Sequence, residues 1–458
     1  SNPDIGAYEN GLSTTPYPAA VTNLTAIGGS RSVTLKWNTV ADADSAYKVY
    51  KRDGEAFSVA AAYYLGATSA KTVPHDTTYT ITGLDNATRY YFRISAVNKQ
   101  GYEGTSAVID ITPTYSGPVW WVSTTGNDDT GEGSSGKPFK TLQEAIGHVT
   151  AGDTVKLKKG THTGDGNRGI AITTNSNIDF ANLKNVVITS EEGAAVTIIH
   201  ANDQDRHFTI SGNQTNTIDS TFQFIGLTFT GGKRSDWGGS FYISAERYYD
   251  NSAQKDRASD MQPKFKDCVF KDNQVMSNNG GRGGAIYLEN AAPIFESCVF
   301  DSNYANGAGG ALDVGGGNNV YRDTVWVYKS TFKNNWVDDD GMSNKISTNG
   351  GAINLQYGMY IIIANSTFEK NMVISKNSDY GSYGGAISIN RDWDTKNRPL
   401  LHIKNSRFTK NINRTEFGWN AQGGAIYAGA PFALYNTVID SNTAESTAQN
   451  GRGVGGGL

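Results

Sequence analysis

Two short motifs alternate along the second half of this 458-residue chain, and their recurrence constrains the fold more than any other feature. The first is Gly-Gly-Ala followed by isoleucine or leucine, and the second is Phe-x-x-Asn. The alanines of the first motif are Ala285, Ala311, Ala352, Ala386 and Ala425. Because the loops between the motifs differ in length, the pattern predicts a repeat protein in which each pair of motifs belongs to one coil.

Stacked coils of a parallel β-helix lie about 4.8 Å apart, so equivalent side chains come directly above one another. We predict an internal aromatic stack of Phe270, Phe300, Phe332, Phe368 and Phe408. We also predict an amide ladder of Asn273, Asn303, Asn335, Asn371 and Asn411, in which each side chain donates to the next. Two short strands and two turns per coil would satisfy this pattern, with the glycines at the corners.

The repeats are similar to those of the polymorphic outer-membrane protein family, whose β-helical passengers are surface-exposed and associated with adhesion. The stretch that opens the solenoid begins at Trp120 and includes a short amphipathic helix at about 142–149. It resembles the start of right-handed parallel β-helices of the pectate-lyase-like superfamily, in which a helix plugs the first coil. The resemblance implies a solenoid over 119–458, with a cap over 119–160 and coils over 161–458 that stay open at the C-terminal end.

Residues 17–113 have a different pattern, in which short apolar runs alternate with turn signals, as in an antiparallel β-sandwich. The positions of Trp37, Leu84, Tyr90 and Phe92 resemble the core of a fibronectin type III domain. A spacer is the usual role of such a domain. The sequence thus predicts an all-β chain, a sandwich followed by a solenoid, with a hinge at 114–118 and an extended segment at 1–16.

Charge and hydropathy exclude two classes of partner. The formal net charge is -4, which provides no basic surface for nucleic acid. No window approaches the roughly 18 consecutive apolar residues of a membrane-spanning helix. The resemblance to surface-exposed passengers, the near-absence of cysteine and the polar coils rich in Asn, Thr and Gly predict an extracellular or cell-surface protein.

The only two cysteines, Cys268 and Cys298, occupy the same position in two successive repeats, two residues before the motif phenylalanine. Later repeats have serine or threonine there, which indicates an inward-facing column of small residues. The two α-carbons would lie close enough for a disulfide, but side chains stacked in a ladder are poorly oriented for one. We predict reduced thiols, with a bridge as the alternative.

No cofactor is expected apart from calcium. Asp338, Asp339 and Asp340 follow one another in a loop, and the segment 127–129 offers a second group of oxygen ligands. Asp and Asn also favour turns for backbone reasons, so a solvated turn is the alternative at both places.

Two loops contain charged residues that could perform acid and base chemistry on an acidic glycan. One loop spans 391–398, and the other contains Arg247, Lys255, Asp256 and Arg257. These residues lie in loops of unequal length and not in one sheet, so we assign no catalytic residues. Three loop tryptophans could stack on sugars or pack against the solenoid wall, namely Trp336, Trp393 and Trp419.

The two ends of the chain suggest a contact between copies. Ile5, Gly6, Ala7 and Tyr8 resemble a closing β-strand, whereas Gly456 and Leu458 begin a coil that has no second motif. Docking of the first segment on the last coil of another copy would build a head-to-tail fibre by strand addition. The sequence thus favours a non-enzymatic structural or adhesive solenoid whose partners are other copies, glycans or host cell-surface proteins. The alternative is a polysaccharide lyase or glycan-binding protein of the pectate-lyase-like superfamily.

Overall fold

The chain divides into two compact units, residues 1–118 and 119–458. The computed structural model describes residues 17–29, 32–41, 43, 46–53, 69–73, 77–82, 84, 88–104, 107–113, 119–131, 133–252, 255–316, 320–321, 324–340, 347–356, 358–376, 381–390, 399–416, 420–448 and 451–458. The predicted segments 1–16 and 114–118 therefore lie outside the described residues. Within the described ranges, no helix is both long and apolar enough to cross a membrane.

The first unit is a sandwich of two antiparallel sheets. The strands of the smaller sheet are Thr25–Gly29, Ser32–Lys36 and Thr78–Thr82. The strands of the larger sheet are Ser69–Val73, Ala46–Asp53, Tyr90–Val97 and Ala107–Ile111. Trp37, Leu84, Tyr90 and Phe92 are buried in one cluster between them, as alternation of apolar residues along each strand requires.

The second unit is a right-handed parallel β-helix built from five parallel sheets. Sheet 1 contains Val119–Val122, Thr154–Leu157, Val187–Ser190, Gln223–Ile225, Lys264–Lys266, Ile294–Glu296, Thr324–Tyr328, Tyr360–Ala364, Leu400–Lys404 and Phe432–Tyr435. Sheet 2 contains Gly160–Thr163, Thr197–His200, Thr228–Thr230, Val269–Lys271, Val299–Asp301, Thr331–Lys333, Thr367–Glu369, Arg407–Thr409 and Val438–Asp440. Sheet 3 contains Ile170–Thr173, Phe208–Gly212, Phe241–Ala245, Ile286–Glu289, Leu312–Gly315, Ile353–Leu355, Ile387–Ile389 and Ile426–Ala428.

Two further sheets follow the asparagine of each later repeat and precede its glycines. Sheet 4 contains Lys233–Arg234, Gln274–Val275, Tyr304–Ala305, Trp336–Val337, Met372–Ser375, Ile412–Thr415 and Thr443–Ser446. Sheet 5 contains Gly281–Arg282, Gly307–Ala308, Thr348–Asn349, Ser382–Tyr383, Asn420–Gln422 and Arg452–Val454. A separate three-stranded sheet contains Arg247–Asp250, Lys255–Ala258 and Val320–Tyr321. The expectation of two strands per coil was wrong, because a full later coil contributes one strand to each of five sheets.

Sheets 4 and 5 pack against each other and form what we call the flange. Ala305, Val337 and Val373 make a small core there, separate from the main core. Asn413 crosses the flange interior, where its Nδ2 donates to the carbonyls of Ser382 and Gln422, both at 2.8 Å. The flange is thus a second layer with its own interior, attached to the three-sheet body.

The two motifs lie where the flange joins the body. Gly385 follows a sheet 5 strand, and a Cβ there would lie 2.1 Å from the carbonyl oxygen of Gly424 and 2.7 Å from that of Ile412. Ile412 comes directly after the motif asparagine of the next coil. Because real Cβ contacts are never that short, the Gly-Gly step allows the two backbone crossings to touch. Gly384 also has φ of +67°, which favours glycine.

The five motif phenylalanines form one stack in the main core. Neighbouring ring centroids lie 4.5–4.8 Å apart and neighbouring rings are within 12° of parallel. All five side chains are fully buried. The register that produces this stack pairs each phenylalanine with its counterpart in the next coil.

The motif asparagines form a continuous hydrogen-bonded ladder beside that stack. The Nδ2 of Asn335 donates to Oδ1 of Asn371 at 2.9 Å and to the carbonyl of Phe300 at 3.0 Å. The same pattern recurs from Asn273 to Asn442. Each amide also accepts a backbone N–H from the preceding coil, so the corner between sheets 2 and 4 has its buried polar groups paired.

A short helix, Leu142–His148, covers the first coil. The side chain of Thr141 accepts a hydrogen bond from the backbone N–H of Glu144 at 3.2 Å, which caps the helix start. Leu142, Ala145 and Ile146 are buried against the main core. The helix therefore covers apolar surface that an uncapped solenoid would expose.

Candidate functional site

The outer face of sheet 3 carries a column of polar and aromatic side chains. The position that follows each Gly-Gly-Ala-hydrophobic motif, or its variant, points away from the core because side chains alternate along a strand. Strand register stacks these residues as Tyr242, Tyr287, Asp313, Asn354, Ser388 and Tyr427. Four of them, Tyr287, Asp313, Asn354 and Ser388, are buried although they face outward. This part of the outer face of sheet 3 is therefore shielded from solvent.

A groove of about 860 Å³ adjoins the start of this column. Asp205, Arg206, Arg234 and Asp236 line it together with Trp237. Further lining is provided by Tyr242, Ser235, Ser277, Asn279 and Arg282. Arg234 belongs to the first strand of the flange, so the groove lies where flange and body meet.

Trp237 and Tyr242 form an aromatic wall of the groove, and both stack on Tyr287. The ring centroid of Tyr287 lies 5.1 Å from that of Trp237 and 5.6 Å from that of Tyr242. The guanidinium of Arg206 lies 5.2 Å above the Tyr242 ring. Trp237 is 41% exposed, whereas Tyr287 is buried. The exposed Trp237 ring is therefore supported by rings that packing holds in place.

Two arginines and two aspartates form a closed ion network along the groove. Arg206 donates to both carboxylate oxygens of Asp236, at 2.7 and 2.8 Å. Arg234 donates to the same oxygens at 2.9 and 3.0 Å, and to Asp205 at 2.9 Å. Burial alone would raise the pKa of Asp236, but hydrogen bonds from Arg234 and the charge of Arg206 hold it below its ordinary value. The charges in this network are compensated within it.

A second chain of hydrogen bonds leads from the groove to a buried carboxyl group. Arg282 donates to Oε1 of Gln356 at 2.5 Å, and Gln356 donates to Asp313. Asn354 also donates to Asp313, at 2.8 Å. Burial raises the pKa of Asp313 above its ordinary value, because the charged form loses its hydration. Within the described ranges, Oδ1 of Asn354 is buried without a hydrogen-bond partner.

The acidic loop predicted to bind calcium contacts a lysine of the following coil. Asp340 accepts from Nζ of Lys376 at 2.7 Å, and Asp338 accepts from the same atom at 3.3 Å and from Tyr304 at 2.6 Å. Asp339 accepts from the backbone N–H of Lys376 at 2.8 Å. The ammonium group of Lys376 therefore compensates the charges of Asp338 and Asp340. No cluster of three acidic, histidine or cysteine side chains in the described ranges has the arrangement of a metal site.

The other acidic segment that sequence suggested for calcium forms a turn. Oδ1 of Asn127 accepts from the backbone N–H groups of Asp129 and Thr130 at 2.8 and 2.9 Å. Asp128 accepts from the backbone N–H groups of Lys140 and Thr141 at 2.7 and 3.0 Å. These side chains stabilise the chain before the capping helix.

The tryptophans proposed to stack on sugars are not brought together by the described structure. Trp336 lies on the outer face of sheet 4 with its ring centroid 5.0 Å from that of Tyr304. Trp393 and Trp419 lie outside the described residues, as does the charged loop 391–398. Arg257, from the other charged loop, pairs with Asp250 at 2.5 Å across the separate three-stranded sheet. That loop therefore forms a hairpin apart from the groove residues.

The residues proposed for assembly are only partly described. Ile5, Gly6, Ala7 and Tyr8 lie outside the described residues. Gly456 lies against Gly424 of the preceding coil, and a Cβ at Gly424 would be 2.2 Å from its carbonyl oxygen. Leu458 is 53% exposed.

Both cysteines are free thiols buried in the main core. Sγ of Cys268 donates to the carbonyls of Phe224 and Lys266, both at 3.3 Å. Burial raises the pKa of Cys268 to about 12. In the coil after Cys298, the hydroxyl of Ser330 accepts the backbone N–H of Cys298 at 3.1 Å, so hydroxyls take the place of the thiols in the later coils of this column.

Sequence reasoning missed the groove. The signal was present in the residue after each Gly-Gly-Ala-hydrophobic motif, where Tyr242, Tyr287 and Asp313 stand in one outward column. Arg234 and Asp236 lie before a degenerate copy of the motif, at 239–241, so the intact repeats do not mark them.

Comparison with known proteins identifies the first unit and gives partial relatives of the whole chain. A profile of the fibronectin type III domain matches residues 19–112, which form such a domain. A Kelch domain-containing protein of Saccharolobus solfataricus is 35% identical over 98 residues, 21% of this chain and 12% of that protein. The probable autotransporter YfaL of Escherichia coli is 30% identical over 182 residues, 39% of this chain and 13% of that protein.

The chain thus covers only 12% and 13% of the lengths of these two relatives. Among solved structures, a rhamnogalacturonan lyase is 17% identical, with 71% of this chain and 75% of that chain covered and a TM-score of 0.36. The resemblance of the repeats to the polymorphic outer-membrane protein family stays a prediction.

Proposed function

We propose that this chain is an extracellular or cell-surface structural or adhesive solenoid without enzymatic activity, in which the fibronectin type III domain acts as a spacer. The observation that carries the proposal is the unbroken ladder of side chains through the later coils. Five stacked phenylalanines and the amide chain from Asn273 to Asn442 link each coil to the next. Such a ladder favours a stiff body that holds surface features at fixed spacing.

The proposed surface location is supported by one relative. The matched protein of Escherichia coli is named a probable autotransporter, and the matched segment is 39% of this chain.

Association between copies is part of the proposal only as the prediction made from sequence. The last coil exposes Tyr435 and Val438 at 68% and 48%. A second copy would cover these side chains, and so would a further coil of the same chain. Electron microscopy of the chain with and without residues 1–16 tests the contact, since filaments that persist without this segment would contradict strand addition.

The enzymatic alternative makes an opposite prediction for the same material. The full chain is incubated with polygalacturonate, rhamnogalacturonan and alginate, with and without calcium, and unsaturated products are measured by absorbance. We expect no product from any polymer.

The adhesive role is tested with coated beads. Beads coated with the folded chain are expected to retain cells, and beads coated with the heat-unfolded chain are expected to release them. Product formation would replace the proposal by a polysaccharide lyase, and equal retention by both bead types would remove the adhesive role.

A further inference from the structure

The groove between flange and body has the features of a ligand site in its own right. We propose that it binds a neutral saccharide, a hydroxyl-rich ligand without carboxylate, sulfate or phosphate groups. This assignment rests on the proposed role of the chain as a non-enzymatic adhesive solenoid, and adds the class of ligand. The groove volume of about 860 Å³ falls within the range of small-ligand pockets, roughly 300–1,000 Å³.

The exposed part of the aromatic wall favours a sugar as the ligand of the groove. One face of Trp237 rests on the buried Tyr287, while 41% of the tryptophan stays exposed. An aromatic face of this kind offers an apolar surface to the C–H groups of a pyranose ring. Because Tyr287 and Tyr242 are themselves stacked, little side-chain freedom is lost when a ligand covers Trp237.

Charge compensation selects a neutral ligand. Both arginines of the network already donate to carboxylates, and Asp236 alone accepts four hydrogen bonds from them. An anionic sugar would have to displace Asp236 and would approach Asp205 as a like charge. A cation would meet Arg206 and Arg234. A hydroxyl group meets neither cost, since it donates to a carboxylate and accepts from a guanidinium.

The network is also fixed in position, as specific recognition of hydroxyl groups requires. The side chain of Arg206 is only 7% exposed and lies over the Tyr242 ring. Tyr242 in turn donates to Glu289 of the next coil. Ser235, Ser277 and Asn279 add short polar groups to the lining. The groove therefore combines one apolar face with preorganised donors and acceptors.

Binding is tested with the full chain on an array of neutral and acidic oligosaccharides, followed by titration calorimetry with the best neutral ligand. Trp237→Ala is expected to weaken binding at least about fivefold, since an aromatic contact is worth about 1 kcal/mol beyond its area. Trp326→Ala is the matched control, because Trp326 lies on sheet 1 and packs on Tyr328 at 6.0 Å, outside the groove lining. The control is expected to bind like the unchanged chain.

Asp236→Asn is expected to change the binding affinity in opposite directions for neutral and acidic sugars. The substitution loosens Arg206, which donates to both oxygens of Asp236, so binding of a neutral sugar weakens. For a uronate it leaves Arg206 without its carboxylate partner, so binding strengthens, while Arg234 keeps Asp205. The melting temperature is measured for each variant, so that loss of folding is separated from loss of binding. If Asp236→Asn does not fold, Trp237→Ala alone tests the proposal.

Three outcomes overturn the assignment: unchanged binding by Trp237→Ala, preference for acidic glycans, or no neutral glycan bound. Each leaves the proposed adhesive role intact if coated beads still retain cells and polyuronates stay uncleaved. Product release from a polyuronate would instead refute that role whatever the array shows.

Discussion

Replacing Asn371 by alanine removes one amide from the middle of the buried ladder. Its Nδ2 donates to the carbonyl of Phe332 and to Oδ1 of Asn411, both at 2.9 Å. Its Oδ1 accepts the backbone N–H of Asn335 at 3.2 Å and the Nδ2 of the same residue at 2.9 Å. In the variant, these two N–H groups of Asn335 lose their acceptor in a place where Asn335 and Asn371 are fully buried.

The expected cost follows from those two orphaned donors. A buried donor left without an acceptor costs about 1–3 kcal/mol, so the variant with two such donors is expected to lose about 2–6 kcal/mol of unfolding free energy. Asn442 provides the matched control at the end of the ladder. It accepts the same pair of N–H groups from Asn411 but is only half-buried, so water can replace its oxygen and the loss should be about 1 kcal/mol or less.

Guanidinium unfolding followed by circular dichroism compares Asn371→Ala and Asn442→Ala with the unchanged chain. Since stacked coils can open separately, hydrogen exchange is measured at the same time over 332–415. Faster exchange is expected on both sides of position 371 and not in the first coils. Equal stability of the two variants, or a loss below about 1 kcal/mol for Asn371→Ala, would refute the reasoning from buried donors.

Three other measurements test separate parts of the structure. Gly384→Ala would bring a Cβ to 2.0 Å from the carbonyl oxygen of Ile387 at φ of +67°, so it should lower the melting temperature sharply. The control Gly147→Ala in the capping helix meets no atom within 4 Å and should stabilise the chain by about 0.5–1 kcal/mol. A small change in melting temperature for Gly384→Ala would contradict the close approach of the backbone. Burial lowers the pKa of His207 to about 4, so its contribution to the free energy of unfolding is complete above the unfolded pKa of about 6.5 and declines by about 3 kcal/mol as the pH falls to 4. The melting temperature of His207→Gln should therefore depend less on pH over this window than that of the unchanged chain. An identical pH dependence of the two melting temperatures would refute this. The thiols of Cys268 and Cys298 should react with a thiol reagent only after unfolding, and rapid native reaction would show that they are accessible.

Repeat spacing was enough to predict which residues stack, because the helical solenoid forces equivalent positions into register. Phe332 and Asn335 are examples, since each had an identical counterpart in neighbouring repeats. The flange was not predictable in this way. Its strands are two to four residues long and its inward residues vary from Ala305 to Asn413, so no periodic pattern marks them.

The groove depends on contacts between different coils, which a linear pattern does not encode. Arg206 and Asp236 pair across one coil although they are 30 positions apart. The acidic loop is a second case, because Lys376 reaches Asp340 from the following coil. Both cases show that a residue's chemistry in a solenoid depends on its neighbours above and below as much as on those beside it in sequence.

In-register stacking of the coils is tested most directly by electron spin resonance distances between labels on the outer face of sheet 2. The positions 271, 301, 333, 369, 409 and 440 are aligned one coil apart. At about 4.8 Å per coil, labels at 271 and 369 should be separated by about 14 Å and those at 271 and 440 by about 24 Å. The structure predicts that distance grows in proportion to the number of coils between the labels. Distances that follow sequence separation, or that do not increase from one coil to the next, would contradict it.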